Sequence, residues 1–316
     1  MKKAVLILSL SLAVSAFAQD NGSAGTTSSG VLPTSVTIPT EKVRTPTTAD
    51  LYCAGFIGKS VISRSKFVAG GLESPFTTQF AKDEIVYLKG SGYEVGQQYS
   101  IVRELRDPNR YELFPGQWSA IKAAGQPFAE LARIQVVDTR NKMAIAQIQY
   151  SCDTVLPGDY AIPYADKTAV EFHPPMKLDR FAPANGQVNG RIIMAKDFNS
   201  ELGNGDKVYL NIGANQGLKV GDYLKAVRSY AATSEDPVES LSFAAATLEP
   251  TQARQPAVDP NFLNRTNGPQ IHVAEMPRRA VGEIVIVGTT PTTATGMIVF
   301  SLEPVLVGDR VELDQQ

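Results

Sequence analysis

Two cysteines, two histidines and a set of carboxylates are the residues of this sequence with the clearest chemical potential. Cys53 and Cys152 make an even count, which in an exported protein favours a disulfide bond over two separate buried thiols. Such a bond would close a loop of about 100 residues and stabilise the fold by roughly 4–5 kcal/mol in the chain-entropy model. Because the pair lacks the C-x-x-C spacing of redox and metal sites, we predict a structural disulfide.

Neither histidine lies in a pattern typical of catalysis or metal binding. His173 precedes two prolines, and His272 lies near the end of a long segment with several prolines. The sequence contains no H-E-x-x-H motif, no Cys/His cluster with zinc-ligand spacing, no G-x-S-x-G elbow and no P-loop. We therefore predict a non-enzymatic protein with no catalytic residues, no metal and no cofactor.

Carboxylates are the remaining chemical possibility, because two of them are enough to hydrolyse a glycosidic bond. Glu130 and Glu283 occupy matching positions when two parts of the sequence are aligned. Both lie beside predicted strands, which favours solvated strand ends or cross-strand partners for arginine. A cell-wall hydrolase with a carboxylate site between the two repeats is the alternative.

The segments that carry these residues are repeated along the chain. Residues 85–99 (IVYLKGSGYEVGQQY) resemble residues 207–223, and residues 155–159 (VLPGD) resemble residues 305–309 (VLVGD). Two copies of one unit predict two similar domains. The acids that follow glycine in these copies are expected to bond the local backbone of turns, since calcium would need more oxygen ligands in one loop. They are Asp159, Asp222 and Asp309.

Six short segments in each copy are rich in Val, Ile and Tyr and are separated by turn residues, as antiparallel strands are. In the first copy they span residues 58–62, 86–88, 98–103, 130–137, 144–148 and 160–162. In the second copy they span residues 190–194, 208–210, 222–228, 282–287, 295–299 and 310–313. A small closed barrel leaves no exposed sheet edge, whereas an open two-layer sandwich is the alternative. The predicted fold class is all-β, with tandem barrels at 50–164 and 187–314 and a linker at 165–186.

Two insertions interrupt the copies between their third and fourth predicted strands. The first, residues 106–128, contains Tyr111, Phe114 and the only tryptophan, Trp118. Because aromatic residues are enriched in binding hot spots, these three are the candidate partner-binding residues. The alternative is that Trp118 closes one end of its own barrel. The second insertion, residues 229–279, contains several prolines and is predicted to be mobile.

The N-terminus predicts export. Two lysines precede an apolar run that ends in Ala-Phe-Ala, the pattern of a signal peptide covering residues 1–18. The run is shorter than the roughly 20 residues of a membrane span. Residues 19–48 are dominated by Gly, Ser, Thr and Pro and predict a disordered tether. We expect a periplasmic or secreted protein that is not inserted in the membrane after cleavage.

The charge balance argues against nucleic-acid binding. The chain has 32 acidic and 30 basic residues, which leaves a formal charge of −2. A nucleic-acid binder normally shows a basic excess or a basic stripe, and neither occurs here.

Residues 208–222 (VYLNIGANQGLKVGD), together with 281–287 (VGEIVIV) and 307–311 (VGDRV), resemble the C-terminal domain of flagellar assembly protein T. That family domain is a small SH3-like β-barrel in the periplasm. The first copy, residues 85–162, looks like the barrel modules that follow LysM domains in some secreted bacterial proteins. The resemblance implies SH3-like barrels and admits a flagellar basal-body accessory as an alternative. We expect a non-catalytic envelope scaffold or adaptor that binds another envelope protein or peptidoglycan.

Overall fold

A computed structural model describes residues 45–140, 142–171, 179–181, 183–228 and 277–314. The predicted signal peptide, the tether up to residue 44, both histidines and insertion residues 229–276 lie outside this described part. Its two α-helices are short, at Thr48–Tyr52 (α1) and Gln117–Ala124 (α2). Neither these helices nor any other described helix is long and apolar enough to cross a membrane.

The first barrel is a closed, antiparallel, six-stranded sheet. Its strands are β2 (Phe67–Gly71), β3 (Ile85–Lys89), β4 (Gln98–Glu104), β5 (Gln126–Arg140), β6 (Met143–Ser151) and β7 (Tyr160–Pro163). They are ordered β5-β4-β7-β2-β3-β6, and a second pairing of β5 with β6 closes the barrel. A further short strand, β1 (Phe56–Gly58), pairs with the beginning of β5 outside the closed ring.

The second barrel repeats this order. Its ring consists of β8 (Asn189–Ala195), β10 (Lys207–Leu210), β11 (Tyr223–Arg228), β12 (Arg279–Thr289), β13 (Ala294–Ser301) and β15 (Arg310–Leu313). A small side sheet pairs β9 (Glu201–Leu202) with β14 (Val305–Leu306), and a 3-10 turn spans Ala214–Gln216. In both barrels the corresponding strands have the same neighbours. The prediction of two tandem closed barrels is confirmed, and the open sandwich is excluded.

An arginine–aspartate pair recurs at the same place in the two barrels. In the first barrel the guanidinium of Arg103 donates two hydrogen bonds of 2.8 Å to the carboxylate of Asp159 and one to the carbonyl of Thr154. The same carboxylate accepts the backbone N–H of Leu156 at 2.7 Å. The side chain therefore ties strand β4 to the turn that precedes β7.

In the second barrel Arg228 donates at 2.8 and 2.6 Å to the carboxylate of Asp309 and at 2.9 Å to the carbonyl of Pro304. Asp309 likewise accepts the backbone N–H of Leu306. The predicted turn role of these aspartates is confirmed. The arginine partner is an addition that the aligned sequences did not predict.

The predicted opening strand of the first copy is wrong. The order of the repeated segments pairs residues 58–62 with 190–194 and so matches Ser60 with Ile192. The backbone N–H of Val68 donates to the carbonyl of Asp159, and the backbone N–H of Ile192 donates to the carbonyl of Asp309. Because the two aspartates correspond, Val68 is the counterpart of Ile192. Residues 59–62 form a loop in which Val61 is 96% exposed. A shared glycine and similar apolar residues produced the false match.

Candidate functional site

The aromatic insertion of the first copy packs on the second barrel. Phe114 is 2% exposed and belongs to the second barrel's core, where the Arg191 guanidinium lies 5.1 Å from its ring centre. The buried amide of Gln117 donates to the carbonyl of Ile193 at 3.1 Å. Phe114 as a surface partner-binding residue is therefore a wrong prediction, because its ring fills the junction between the barrels.

Helix α2 presents Trp118 toward solvent. Gly116 lies just before the helix with a φ of 86°, and the Glu112 carboxylate accepts the N–H groups of Gly116 and Trp118. A carboxylate at this end is favourable because the N-terminus of a helix carries partial positive charge. Trp118 is 49% exposed and Tyr111 is 71% exposed. The alternative that Trp118 closes its own barrel is also wrong, since the insertion packs against the other one.

Trp118 borders an open groove of about 420 Å³ that we call the Trp118 groove. Its walls come from helix α2, the chain after β4, the beginning of β5 and strand β8 of the second barrel. The lining residues are Leu105, Arg106, Asp107, Trp118, Ile121, Lys122, Gly125, Gln126, Pro127 and Met194. Because Met194 comes from the second barrel, the groove is complete only when the barrels are docked.

The polar groups of the groove differ between floor and rim. The Gln126 amide donates to the carbonyls of Leu105 and Pro127 at 2.8 and 2.9 Å, so its N–H groups are used within the protein. Asp107 accepts the backbone N–H of Asn109 at 2.8 Å. Arg106 and Lys122 are exposed, and within the described ranges neither forms an ion pair. The groove thus combines an apolar floor with a rim that carries two cations and one anion.

A segment next to β1 joins the two barrels through hydrogen bonds. The Tyr209 hydroxyl donates to the carbonyl of Ala54 at 3.0 Å, and the Thr295 hydroxyl donates to that of Gly55 at 3.0 Å. The Thr293 hydroxyl donates to the carbonyl of Ile57 at 2.6 Å. Burial strongly raises the pKa of the Tyr209 phenol, which keeps it protonated as a donor. These side chains of the second barrel bond the backbone of this first-copy segment.

Helix α1 adds an ion pair and the disulfide to this junction. Lys207 of β10 lies 2.5 Å from the Asp50 carboxylate. Burial alone would raise the pKa of Asp50, but hydrogen bonds from Lys207 and Thr47 outweigh it and lower the pKa to about 2. Cys53 and Cys152 are bonded, with Cα atoms 5.5 Å apart, which confirms the predicted disulfide. The bond attaches the end of α1 to the chain after β6 of the first barrel.

The predicted match between Glu130 and Glu283 is wrong. Strand pairing places Glu130 opposite Val102 and Glu283 opposite Lys225. Since Arg103 and Arg228 correspond, the counterpart of Val102 is Val227 and not Lys225. The error arose because both glutamates precede similar apolar runs, and the runs are offset in register.

Within the described part of the chain, a cleft between the barrels is not lined by carboxylates from both copies. It has a volume of about 300 Å³, and its acidic lining residues, Glu130 and Asp166, both precede the second barrel. Glu130 accepts the Gly55 N–H at 3.0 Å and pairs with Lys167 at 2.6 Å. Across the described residues, no three His, Cys, Asp or Glu side chains group closely enough to hold a metal ion.

No protein-family model matches this chain, and no curated protein matches it significantly. The two closed six-stranded barrels are established by the strand pairings. The resemblance to the flagellar domain and to the modules after LysM domains stays a prediction.

Proposed function

We propose that this protein is a non-catalytic adaptor of the bacterial cell envelope that binds its partner in the Trp118 groove. The partner classes are another envelope protein and peptidoglycan. Export by the N-terminal signal and a periplasmic or secreted location are part of the proposal. The Cys53–Cys152 disulfide supports them, because such bonds persist mainly in oxidising compartments.

One observation carries the proposal: the only tryptophan of the chain lies half exposed beside a groove built from both barrels. Exposed aromatic residues over apolar walls are typical of binding hot spots. The hydrogen bonds and the ion pair at the junction hold the groove's two sides together before a partner arrives. A preformed groove loses less conformational freedom on binding, which favours affinity.

The resemblance to SH3-like modules supports an adaptor rather than an enzyme, on the level of fold analogy. A flagellar basal-body accessory would be a narrower form of the same role. It predicts loss of motility when the gene is deleted.

The proposal is tested by affinity capture from an envelope extract of the producing bacterium and by co-sedimentation with purified peptidoglycan sacculi. We expect the wild-type chain to retain a protein or the glycan and Trp118→Ala to lose it. Phe76→Ala is the matched control, because Phe76 is 96% exposed and does not line the groove. Thermal unfolding of each variant verifies that the fold is intact. Equal retention by Trp118→Ala, or none by the wild type, would contradict the proposal.

A further inference from the structure

We infer that the Trp118 groove, if it is the binding site proposed above, takes an acidic polypeptide segment that inserts one large apolar side chain between acidic neighbours. Three features of the groove favour this occupant: the apolar character of its floor, the charge of its rim and the shortage of free hydrogen-bonding groups inside it.

The floor is suited to one apolar side chain. Leu105 and Ile121 pack against the core of the second barrel, and Pro127 and Met194 complete the wall. The volume of about 420 Å³ lies in the range of pockets that bury small ligands or single anchors. A side chain such as Leu, Met or Phe would remove this apolar surface and part of the Trp118 ring from water.

The rim is suited to acidic neighbours of that anchor. Arg106 and Lys122 are exposed on the rim and have no ion-pair partner in the part of the chain described here. Asp107 already accepts a backbone N–H of its own loop. Among the described residues the rim therefore carries two cations and one carboxylate, and this net positive charge complements a partner with Asp or Glu beside its anchor. An arginine additionally binds a carboxylate through two parallel hydrogen bonds.

The interior is poorly suited to a sugar. A saccharide buried against this floor would need partners for its hydroxyl groups, and unpaired hydroxyls in an apolar site are costly. The Gln126 amide, which could have donated to a sugar, is occupied by the carbonyls of Leu105 and Pro127. A peptide keeps its polar backbone at the open side and buries only the anchor. The polypeptide class is therefore favoured over glycan.

The test uses synthetic heptapeptides without Trp or Tyr that vary a central anchor (Leu, Phe or Ala) and the flanking residues (Glu, Ser or Lys). Binding to the full chain is followed through Trp118 emission, which reports on this groove alone because no other tryptophan is present. We expect Glu-flanked Leu or Phe peptides to bind with a blue shift. Replacing Glu by Lys should weaken binding on the order of tenfold, and added salt should reduce the difference.

The matching protein variant is Arg106→Glu/Lys122→Glu, which should weaken binding of the acidic peptides about tenfold and strengthen that of the Lys-flanked ones. Lys82→Glu, an exposed change outside the groove lining, should leave both affinities unchanged. A thermal unfolding curve like that of the wild type shows that the double variant is folded.

The outcomes separate this inference from the proposed function. Equal binding of Glu-flanked and Lys-flanked peptides would overturn the preference for acidic neighbours. Equal binding of Ala-anchored and Leu-anchored peptides would overturn the need for a large apolar anchor. A shift of Trp118 emission by soluble peptidoglycan fragments but by no peptide would overturn the polypeptide class and leave the groove as the binding site. If peptides, fragments and envelope extract all fail to bind, both the inference and the proposed function are wrong.

Discussion

The repeated arginine–aspartate pair allows the same substitution to be compared in two barrels of one chain. In the second barrel, the Asp309 side chain is fully buried and that of Arg228 is 9% exposed, whereas the Arg103 side chain of the first barrel is 31% exposed. Arg228→Met removes both bonds to Asp309 and the bond to Pro304. It leaves a buried carboxylate whose charge is no longer balanced by its bidentate partner.

The cost of this change follows from that burial. Removing one partner of a buried ion pair typically costs about 3–5 kcal/mol, because the other charge stays desolvated. Arg103→Met should cost only about 1–2 kcal/mol, since water can reach the vacated position and solvate the carboxylate of Asp159. We therefore expect Arg228→Met to reduce the free energy of unfolding more than Arg103→Met does, by about 1–4 kcal/mol.

The assay is urea unfolding monitored by far-UV circular dichroism and by Trp118 emission, with the denaturant slope compared among variants to verify that the transition is the same. As a control, Arg228→Met/Asp309→Leu should recover part of the loss, because no charge stays buried. Equal losses in the two barrels, or a loss below about 1 kcal/mol for Arg228→Met, would refute the reasoning.

Three further predictions concern the segment from α1 to β1 and the contacts that it makes. The pKa of Asp50 is lowered from 3.8 to about 2, so its stabilisation is present above pH 4 and lost as pH falls from about 4 to 2. As the pH is lowered from about 4 to 2, the free energy of unfolding of Asp50→Asn should fall by about 1–2 kcal/mol less than that of the wild type, after allowance for solvent screening. Gly55→Ala would place a methyl group in steric conflict with the Tyr209 hydroxyl, at a backbone φ of +70°. It should cost about 1–3 kcal/mol, measured by thermal unfolding, and a neutral result would contradict the tight junction. Replacing Cys53 and Cys152 by Ser should cost about 2–4 kcal/mol, and reductant should destabilise the wild type but not this variant.

Most of the ring strands could be predicted from the sequence because the repeat supplies two independent readings of each one. The glycine-aspartate turns before β7 and β15 were predictable for the same reason, since their spacing is local. The match between the copies fails at β2, where a loop at residues 59–66 separates the additional strand β1 from the ring. Residues 58–62 happen to resemble 190–194 more closely than the true counterpart, strand β2, does.

The groove could be predicted only in part. Trp118 and Tyr111 stood out by residue type, and the glycines at 116 and 125 bracket a run without helix breakers that could have indicated helix α2. The sequence does not say which barrel that helix contacts, because packing between distant segments leaves no local period. The positions of Met194 and Arg106 in the groove are therefore evident only from the folded structure. The same holds for the burial of Phe114.

Photo-crosslinking in living cells tests the central claim, that the Trp118 groove binds a partner, most directly. A photoreactive phenylalanine derivative, which keeps an aromatic ring at the position, would replace Trp118 in one variant and Phe76, equally part of the first copy but outside the groove lining, in another. We predict a discrete covalent adduct with one envelope protein from position 118, none from position 76, and loss of the adduct in the Arg106→Glu/Lys122→Glu background. No adduct from position 118, or the same adducts from both positions, would contradict the claim.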